Sequence, residues 1–101
     1  GENVAASEIE RVIAAVPGVV ENAVVAKKDP MLDEVPVAFV RCAPTAPAER
    51  AALVQAIEAA CAGTLAGFKR PREIRIVEEL PRSTLEKINK AELRKLLSAK
   101  D

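Results

Sequence analysis

The sequence predicts a small α+β domain, in which a sheet of about three strands, two of them an antiparallel pair, is covered by about three helices. The chain has 101 residues and half of them are apolar, which suits one core in one domain. Helix-like and strand-like patterns alternate in the order helix, strand, strand, helix, strand, helix. Phe39 and Phe68 are the two aromatic residues, so the core must be built from Val, Ile, Leu and Ala.

The first helix is expected to begin near Glu8, because Ser7 and Glu10 have the spacing of a capping box. Apolar residues recur after it at helical spacing and form one stripe: Ile9, Val12, Ile13 and Val16. Pro17-Gly18 should end this helix.

Two Val-rich runs, Val19 to Lys27 and Val35 to Cys42, have the character of strands joined by a short connection. This arrangement predicts an antiparallel pair. Pro36 lacks an N–H and is tolerated near a strand start or at a sheet edge.

The second half of the chain predicts a helix, a strand and a helix. The helix runs from about Ala48 to Ala62, with Leu53, Ile57, Ala60 and Cys61 on its inner face and Gly63 and Gly67 at its exit. The strand covers Glu73 to Glu78, with Ile74 and Ile76 inward and Arg75 outward. The last helix covers Lys90 to Ser98, with Asn89 as N-cap, Glu92 as its capping-box partner, and a buried stripe of Leu93, Leu96 and Leu97.

The net charge is zero, which argues against a general nucleic-acid-binding protein. Residues 1–67 contain five basic and nine acidic residues, whereas residues 68–101 contain ten basic and six acidic residues. The resulting charges of −4 and +4 suit an anionic partner near the C-terminal third, and chance in a short chain is an equal alternative.

Cys42 and Cys61 lack the spacing of a metal site and the chain has no His, so no metal ligands are expected. Both cysteines lie in apolar patterns and are predicted to be buried thiols in a reducing compartment. No apolar run approaches the ~20 residues that a membrane-spanning helix needs. These features predict a cytoplasmic protein without a membrane span.

Lys87 lies in a predicted loop between the third strand and the last helix. Pro81 should end the strand, and Ser83 and Thr84 favour a turn. The ordinary interpretation of such a lysine is a solvated surface side chain.

Three blocks in this order resemble the C-terminal domain of the adenylate-forming superfamily, which includes acyl- and aryl-CoA synthetases, nonribosomal peptide adenylation domains and firefly luciferase. The first is Gly1-Glu2-Asn3-Val4 followed by Ser7-Glu8-Ile9-Glu10 and then Pro17-Gly18-Val19. The second is Phe68-Lys69-Arg70-Pro71, and the third is Leu80-Pro81-Arg82 through Lys87-Ile88 to Leu93-Arg94. The second block looks most like the CoA ligases. The resemblance covers nearly the whole chain and implies that residues 1–101 are a single C-terminal lid domain, preceded in the full-length enzyme by an N-terminal adenylation domain.

The resemblance also implies roles for five residues. Lys87 matches the lysine that assists attack of a carboxylate on the α-phosphate of ATP, although Glu86 replaces the usual glycine before it. Gly1 matches a glycine that faces the pantetheine arm of CoA after the lid rotates, the alternative being a flexible chain end. Phe68 would stack on the CoA adenine or fill the core, and Arg70 and Arg72 would hold CoA phosphates or be solvated. An aromatic residue that some relatives carry between the first two strands is replaced by Leu32.

ATP, CoA and a carboxylic acid are therefore the expected substrates of the full-length enzyme. Mg²⁺ is expected in the N-terminal domain, and no cofactor is expected to bind this chain, which should be inactive alone. Two alternatives stay open: a lid that acts with a carrier protein, and a non-catalytic α+β interaction module.

Overall fold

A computed structural model describes residues 4–31, 33–43, 46–65, 70–82 and 87–99. The elements are α1 (Val4–Ala14), β1 (Val19–Asp29), β2 (Asp33–Cys42), α2 (Pro47–Thr64), β3 (Glu73–Val77) and α3 (Lys90–Ala99). The predicted α+β class and element order are confirmed. The sheet order is β1-β2-β3, with β1 antiparallel to β2 as predicted and β3 parallel to β2.

Apolar side chains are buried on both faces of the sheet. On one face α1 and α2 pack against β1 and β2, and the buried residues there include Ile9, Ile13, Val24, Val40 and Ile57. On the other face α3 and the segment before it cover a second cluster that includes Val25, Val37, Phe39, Leu80, Leu93 and Leu97. Because successive strand residues point to opposite faces, this double burial explains the unbroken apolar runs of β1 and β2.

The predicted start of α1 is wrong. The helix begins at Val4, so Ser7 lies inside it and does not form a capping box with Glu10. The Glu10 carboxylate instead accepts a hydrogen bond from the Val24 N–H, which is 2.8 Å away in β1. A tertiary partner has thus replaced the local one. The helix ends at Ala14, and Gly18 follows with a φ of +99°.

The inner face of α2 is confirmed, with Ile57 and Cys61 buried. Gly63 lies inside the last turn of this helix, whereas it was expected at the exit. Cys42 was predicted to be buried and is only half-buried. Burial raises the pKa of the Cys61 thiol above its usual value.

Two predicted orientations need correction. Arg75 points to the face that α3 covers, where its guanidinium carbon lies 5.7 Å from the centroid of the Phe39 ring, and only 19% of its side chain is exposed. The charge is compensated by Glu73, with which Arg75 forms an ion pair. Leu96 is 50% exposed, so the buried stripe of α3 consists of Leu93 and Leu97.

Pro36 lies near the start of β2, which is the central strand. Pairing with β3 begins one residue later, at Val37 opposite Glu73. Pro36 therefore sits where its missing N–H costs no hydrogen bond to β3, and its carbonyl accepts the Arg72 N–H at 2.8 Å.

Candidate functional site

Lys87 is exposed at the base of a segment whose two ends are joined by the backbone. Arg82 and Ile88 form an antiparallel bridge, and the Asn89 N–H donates to the Pro81 carbonyl at 2.7 Å. Ile88 packs against the cluster under α3, while Lys87 is exposed to solvent. Residues 83–86, which include Ser83, Thr84 and Glu86, lie outside the described residues. The base of the segment is therefore fixed and carries an exposed ammonium group.

The N-cap predicted for the helix after this segment is confirmed, whereas the predicted capping box with Glu92 is wrong, because the Asn89 N–H donates to the Pro81 carbonyl. The Asn89 side chain caps α3, because its Oδ1 accepts the Glu92 N–H at 3.3 Å. The Glu92 carboxylate pairs with Lys95 at 3.3 Å. Lys87 thus lies two residues before a capped helix start.

Two acidic residues from the first part of the chain pair with basic residues on either side of Lys87. Glu21 in β1 pairs with Arg82 and also with Arg41, whose Nε is 2.7 Å from the same carboxylate oxygen. These contacts, the hydrogen bond from Arg82 first, lower the pKa of Glu21 below its usual value, against a smaller opposing effect of burial. Glu10 in α1 pairs with Lys90 at 2.8 Å.

Arg70 and Arg72 lie near the start of β3 and are both exposed. They line a cleft of about 290 Å³ together with Glu58, Cys61 and Pro71. Their guanidinium groups provide planar donors of the kind that bind phosphates.

Arg72 also lines a second cleft, of about 430 Å³, that the sequence did not predict. Lys27 and Lys28 at the end of β1 contribute to it, and Asp29 and Glu73 supply negative charge there. Lys27 ended a predicted strand, and Lys28 followed it. Their proximity to Arg72 depends on β3 lying beside β2, and no sequence signal gave that pairing.

The Lys87 segment and the Arg72 clefts lie at opposite ends of the sheet. Arg72 precedes β3, near the end where Asp29 pairs with Asp33, whereas Arg82 contacts Glu21, which pairs with Arg41 at the other end. Arg41 is also opposite Val77, the last residue of β3. Five strand residues at about 3.3 Å each separate the two regions by roughly 16 Å.

Two of the predicted site residues, Gly1 and Phe68, lie outside the described residues, and so does Leu32. In the ranges that the structure describes, no group of three or more His, Cys, Asp or Glu side chains is arranged to hold a metal ion. None of the helices there is long and apolar enough to cross a bilayer.

Comparisons with known proteins agree with this architecture. The family model described as "AMP-binding enzyme C-terminal domain" matches residues 8–87. The 4-chlorobenzoate–CoA ligase of Pseudomonas sp. (strain CBS-3) is 40% identical over 100 residues, which are 98% of this chain and 18% of that protein.

Solved structures show the same likeness. A Mycobacterium tuberculosis fatty acyl CoA synthetase matches with a TM-score of 0.81 and 35% identity over 94% of this chain and 18% of its own. The anthranilate CoA ligase AuaEII, solved in complex with anthranoyl-AMP, matches with a TM-score of 0.81 and 34% identity over 95% of this chain and 19% of its own. The chain therefore spans less than a fifth of the length of each of these relatives.

Proposed function

The chain belongs to the AMP-binding enzyme C-terminal domain family, and we propose that it is the lid of an ATP-dependent, AMP-forming acyl-CoA or aryl-CoA ligase. An N-terminal adenylation domain of the same polypeptide would hold most of the ATP and acid site. The observation that carries the proposal is the exposed Lys87, at the end of the matched residues and at the base of a closed segment. The cytoplasm is the proposed location, and the free thiols of Cys42 and Cys61 support it.

Lys87 would act in the first half-reaction. A carboxylate oxygen forms a bond to the α-phosphorus of ATP, and the bond from that phosphorus to the bridging oxygen breaks and releases pyrophosphate. The two reacting groups are both anionic, so a cation between them lowers their repulsion and fixes the line of attack. A lysine suits this task, because it is a compact charge on a flexible stem.

Arg70 and Arg72 would act in the second half-reaction, in which the CoA thiol loses its proton, attacks the acyl carbonyl and displaces AMP. Both arginines are exposed and line clefts at the start of β3. Lys28, which shares the second cleft with Arg72, is a further candidate for a CoA phosphate. Phe68 on the adenine and Gly1 beside the pantetheine arm complete the proposed contacts.

The position of these two regions supports a lid that presents different ends in the two steps. Lys87 and Arg72 are separated by the length of β3, and their proposed partners differ, since Lys87 would meet the reacting anions and Arg72 would hold a phosphate of CoA. A rotation of the lid between the half-reactions would bring each end to the active site in turn. Mg²⁺ would be held by the N-terminal adenylation domain.

Replacement of Lys87 tests the first role. In the full-length protein that contains this chain, we expect Lys87→Ala to slow adenylation by roughly 10²–10³-fold, the effect of removing one preorganised electrostatic group. Exchange of labelled pyrophosphate into ATP measures this step, with 4-chlorobenzoate, anthranilate and a fatty acid as the first acids to be screened. Thioester formation from supplied acyl-adenylate should change little.

The matched control for this experiment is Lys95→Ala, because Lys95 is an exposed lysine on α3 whose partner is Glu92. Equal adenylation rates in wild type and Lys87→Ala would reject the proposed role of Lys87. Failure of the full-length protein to carry out exchange with any of a broad panel of acids would favour a non-catalytic module. The isolated chain should be inactive in both assays.

Replacement of the arginines tests the second role and the nature of the acceptor. We expect Arg70→Ala and Arg72→Ala to raise the KM for CoA while pyrophosphate exchange stays near the wild-type rate. Pantetheine, which lacks the nucleotide of CoA, should be used equally well by wild type and variants. A protein that prefers a phosphopantetheinyl carrier protein to CoA would instead support the carrier-protein alternative.

A further inference from the structure

Both ends of the segment that carries Lys87 are attached to the body of the domain by ion pairs. Arg82, at one end, pairs with Glu21 of β1, and Lys90, just beyond the other end, pairs with Glu10 of α1. Lys87 lies five residues after Arg82 and three before Lys90. The segment is thus held at both ends by residues that are remote from it in sequence.

The Glu10–Lys90 pair connects the two sides of the sheet. Helix α1 packs on one face of the sheet and α3 on the other. Glu10 Oε2 lies 2.8 Å from Lys90 Nζ and also 2.8 Å from the backbone nitrogen of Val24, whose N–H points away from β2 at the edge of the sheet. The carboxylate therefore joins the start of α3 to α1 and to the outer edge of β1.

We propose that Glu10, Lys90, Glu21 and Arg82 form a clamp that sets the position of Lys87, and that they are positioning residues for carboxylate adenylation. This inference rests on the proposed function. The ammonium group of Lys87 must meet two anions at once, and a misplacement of about 1 Å can cost roughly 10²-fold in rate. The Arg82–Ile88 bridge and the Lys90–Glu10 pair fix the backbone next to Lys87 and so direct its ammonium group to one place.

The low exposure of the Glu10–Lys90 pair distinguishes it from ordinary surface charges, whereas Arg82 of the second pair is 42% exposed. The side chains of Lys90 and Glu10 are 19% and 21% exposed, whereas those of Lys95 and Glu92 on the same helix are 74% and 49% exposed. Solvent and salt screen the exposed pair more strongly, so it should contribute little. The Lys95–Glu92 pair is therefore a matched control on the same helix.

A glutamine in place of Glu10 removes the negative charge and can keep the hydrogen bond from the Val24 N–H. In Glu10→Gln the amide oxygen can still accept the Val24 N–H, and the attraction to Lys90 is lost. Lys90→Met removes the same attraction from the other side and keeps a long apolar stem. Lys90→Arg keeps the charge and serves as the conservative replacement.

The test measures both half-reactions of the full-length protein, with the acid that gives the fastest pyrophosphate exchange. We expect Glu10→Gln and Lys90→Met to lower the kcat of adenylation about 10-fold to 100-fold, the range expected for a misplaced catalytic group. The double variant should be no slower than the slower single variant, because both changes remove the same Glu10–Lys90 attraction. Lys90→Arg should recover most of the rate, and Lys95→Met should match wild type.

Thioester formation from supplied acyl-adenylate separates positioning from a loss of folding. It should stay near the wild-type rate in every clamp variant, since this step does not use Lys87. A fall in both half-reactions by the same factor would assign the pairs a purely structural role and overturn the proposal.

Lys87→Ala in the same assays identifies which inference fails. Slow adenylation in Lys87→Ala with normal rates in Glu10→Gln and Lys90→Met would overturn the clamp and leave the role of Lys87 intact. Normal adenylation in Lys87→Ala would overturn the proposed function and the clamp with it.

Discussion

At the scale of single residues, Leu93 and Leu96 show how one turn of α3 divides the core from the solvent. Leu93 is 1% exposed and Leu96 is 50% exposed, although the sequence pattern assigned both to one stripe. We expect Leu93→Ala to lower the free energy of unfolding by about 2–5 kcal/mol, because it removes buried methyl groups and leaves a cavity. Leu96→Ala should change it by less than about 0.5 kcal/mol. Urea unfolding of the two variants measures the difference, and equal losses would contradict this assignment.

Glu10 marks the limit of local sequence reasoning. Its spacing from Ser7 satisfied the capping-box pattern, and the structure uses its carboxylate for Val24 and Lys90, which are 14 and 80 residues away. A pattern of four residues contains no information on partners at that distance. Asn89 was predicted correctly for the complementary reason, since its partner Glu92 lies three residues along the same helix.

At the scale of elements, replacing Gly18 and replacing Gly63 by alanine should change the stability of the domain in opposite directions. Gly18 follows α1 with a φ of +99°, a conformation that costs other residues roughly 1–2 kcal/mol. Gly63 lies in the last turn of α2, and a Cβ atom added there would meet no atom within 4 Å. We therefore expect Gly18→Ala to lower the unfolding free energy by at least about 1 kcal/mol, and Gly63→Ala to raise it by roughly 0.5–1 kcal/mol.

Thermal unfolding of the two glycine variants measures both the expected loss of stability in Gly18→Ala and the expected gain in Gly63→Ala. A stabilised Gly18→Ala would mean that the backbone there does not need the left-handed region. A destabilised Gly63→Ala would mean that the end of α2 approaches another part of the chain.

The elements themselves were predictable, because each has a periodicity that lies within its own residues. The antiparallel pairing of β1 and β2 was also predictable from their short connection. The position of β3 was not, because a parallel neighbour is reached through α2 and its pairing depends on the whole layer arrangement. Lys27 and Lys28 were missed as candidate site residues for this reason. The exposure of Lys87 was predictable from local signals, whereas its proposed role came from the resemblance to the adenylate-forming enzymes.

At the scale of the whole molecule, some charges of the acidic part of the chain form ion pairs with charges of the basic part. The acidic Glu10 and Glu21 belong to the part of the chain with a net charge of −4, and Lys90 and Arg82 belong to the part with +4. The two parts therefore attract each other across the fold. This internal attraction is a third explanation beside an anionic partner and chance, and the basic Arg70 and Arg72 stay exposed for a partner.

The attraction between the two parts can be measured at Glu21, because the charge of this carboxylate makes the unfolding free energy depend on pH. Its contacts with Arg82 and Arg41 lower the pKa of the carboxyl, so the folded state binds fewer protons than the unfolded state as acid is added. The contribution of Glu21 to stability is complete above its unfolded pKa of about 4.3 and is lost as the pH falls through the lower folded value. Between about pH 5 and about pH 3 we therefore expect the unfolding free energy of the wild type to fall more steeply than that of Glu21→Gln.

Urea unfolding at a series of pH values measures the two slopes, and an NMR titration of the Glu21 carboxyl carbon measures the pKa itself. Because the hydrogen bond from Arg82 is the largest cause of the shift, Arg82→Met should move the pKa of Glu21 back toward its usual value. In the same variant, the fall of the unfolding free energy with decreasing pH should become closer to that of Glu21→Gln. Identical slopes in wild type and Glu21→Gln would mean that the pair is fully screened by solvent and does not help to hold the end of the Lys87 segment at Arg82.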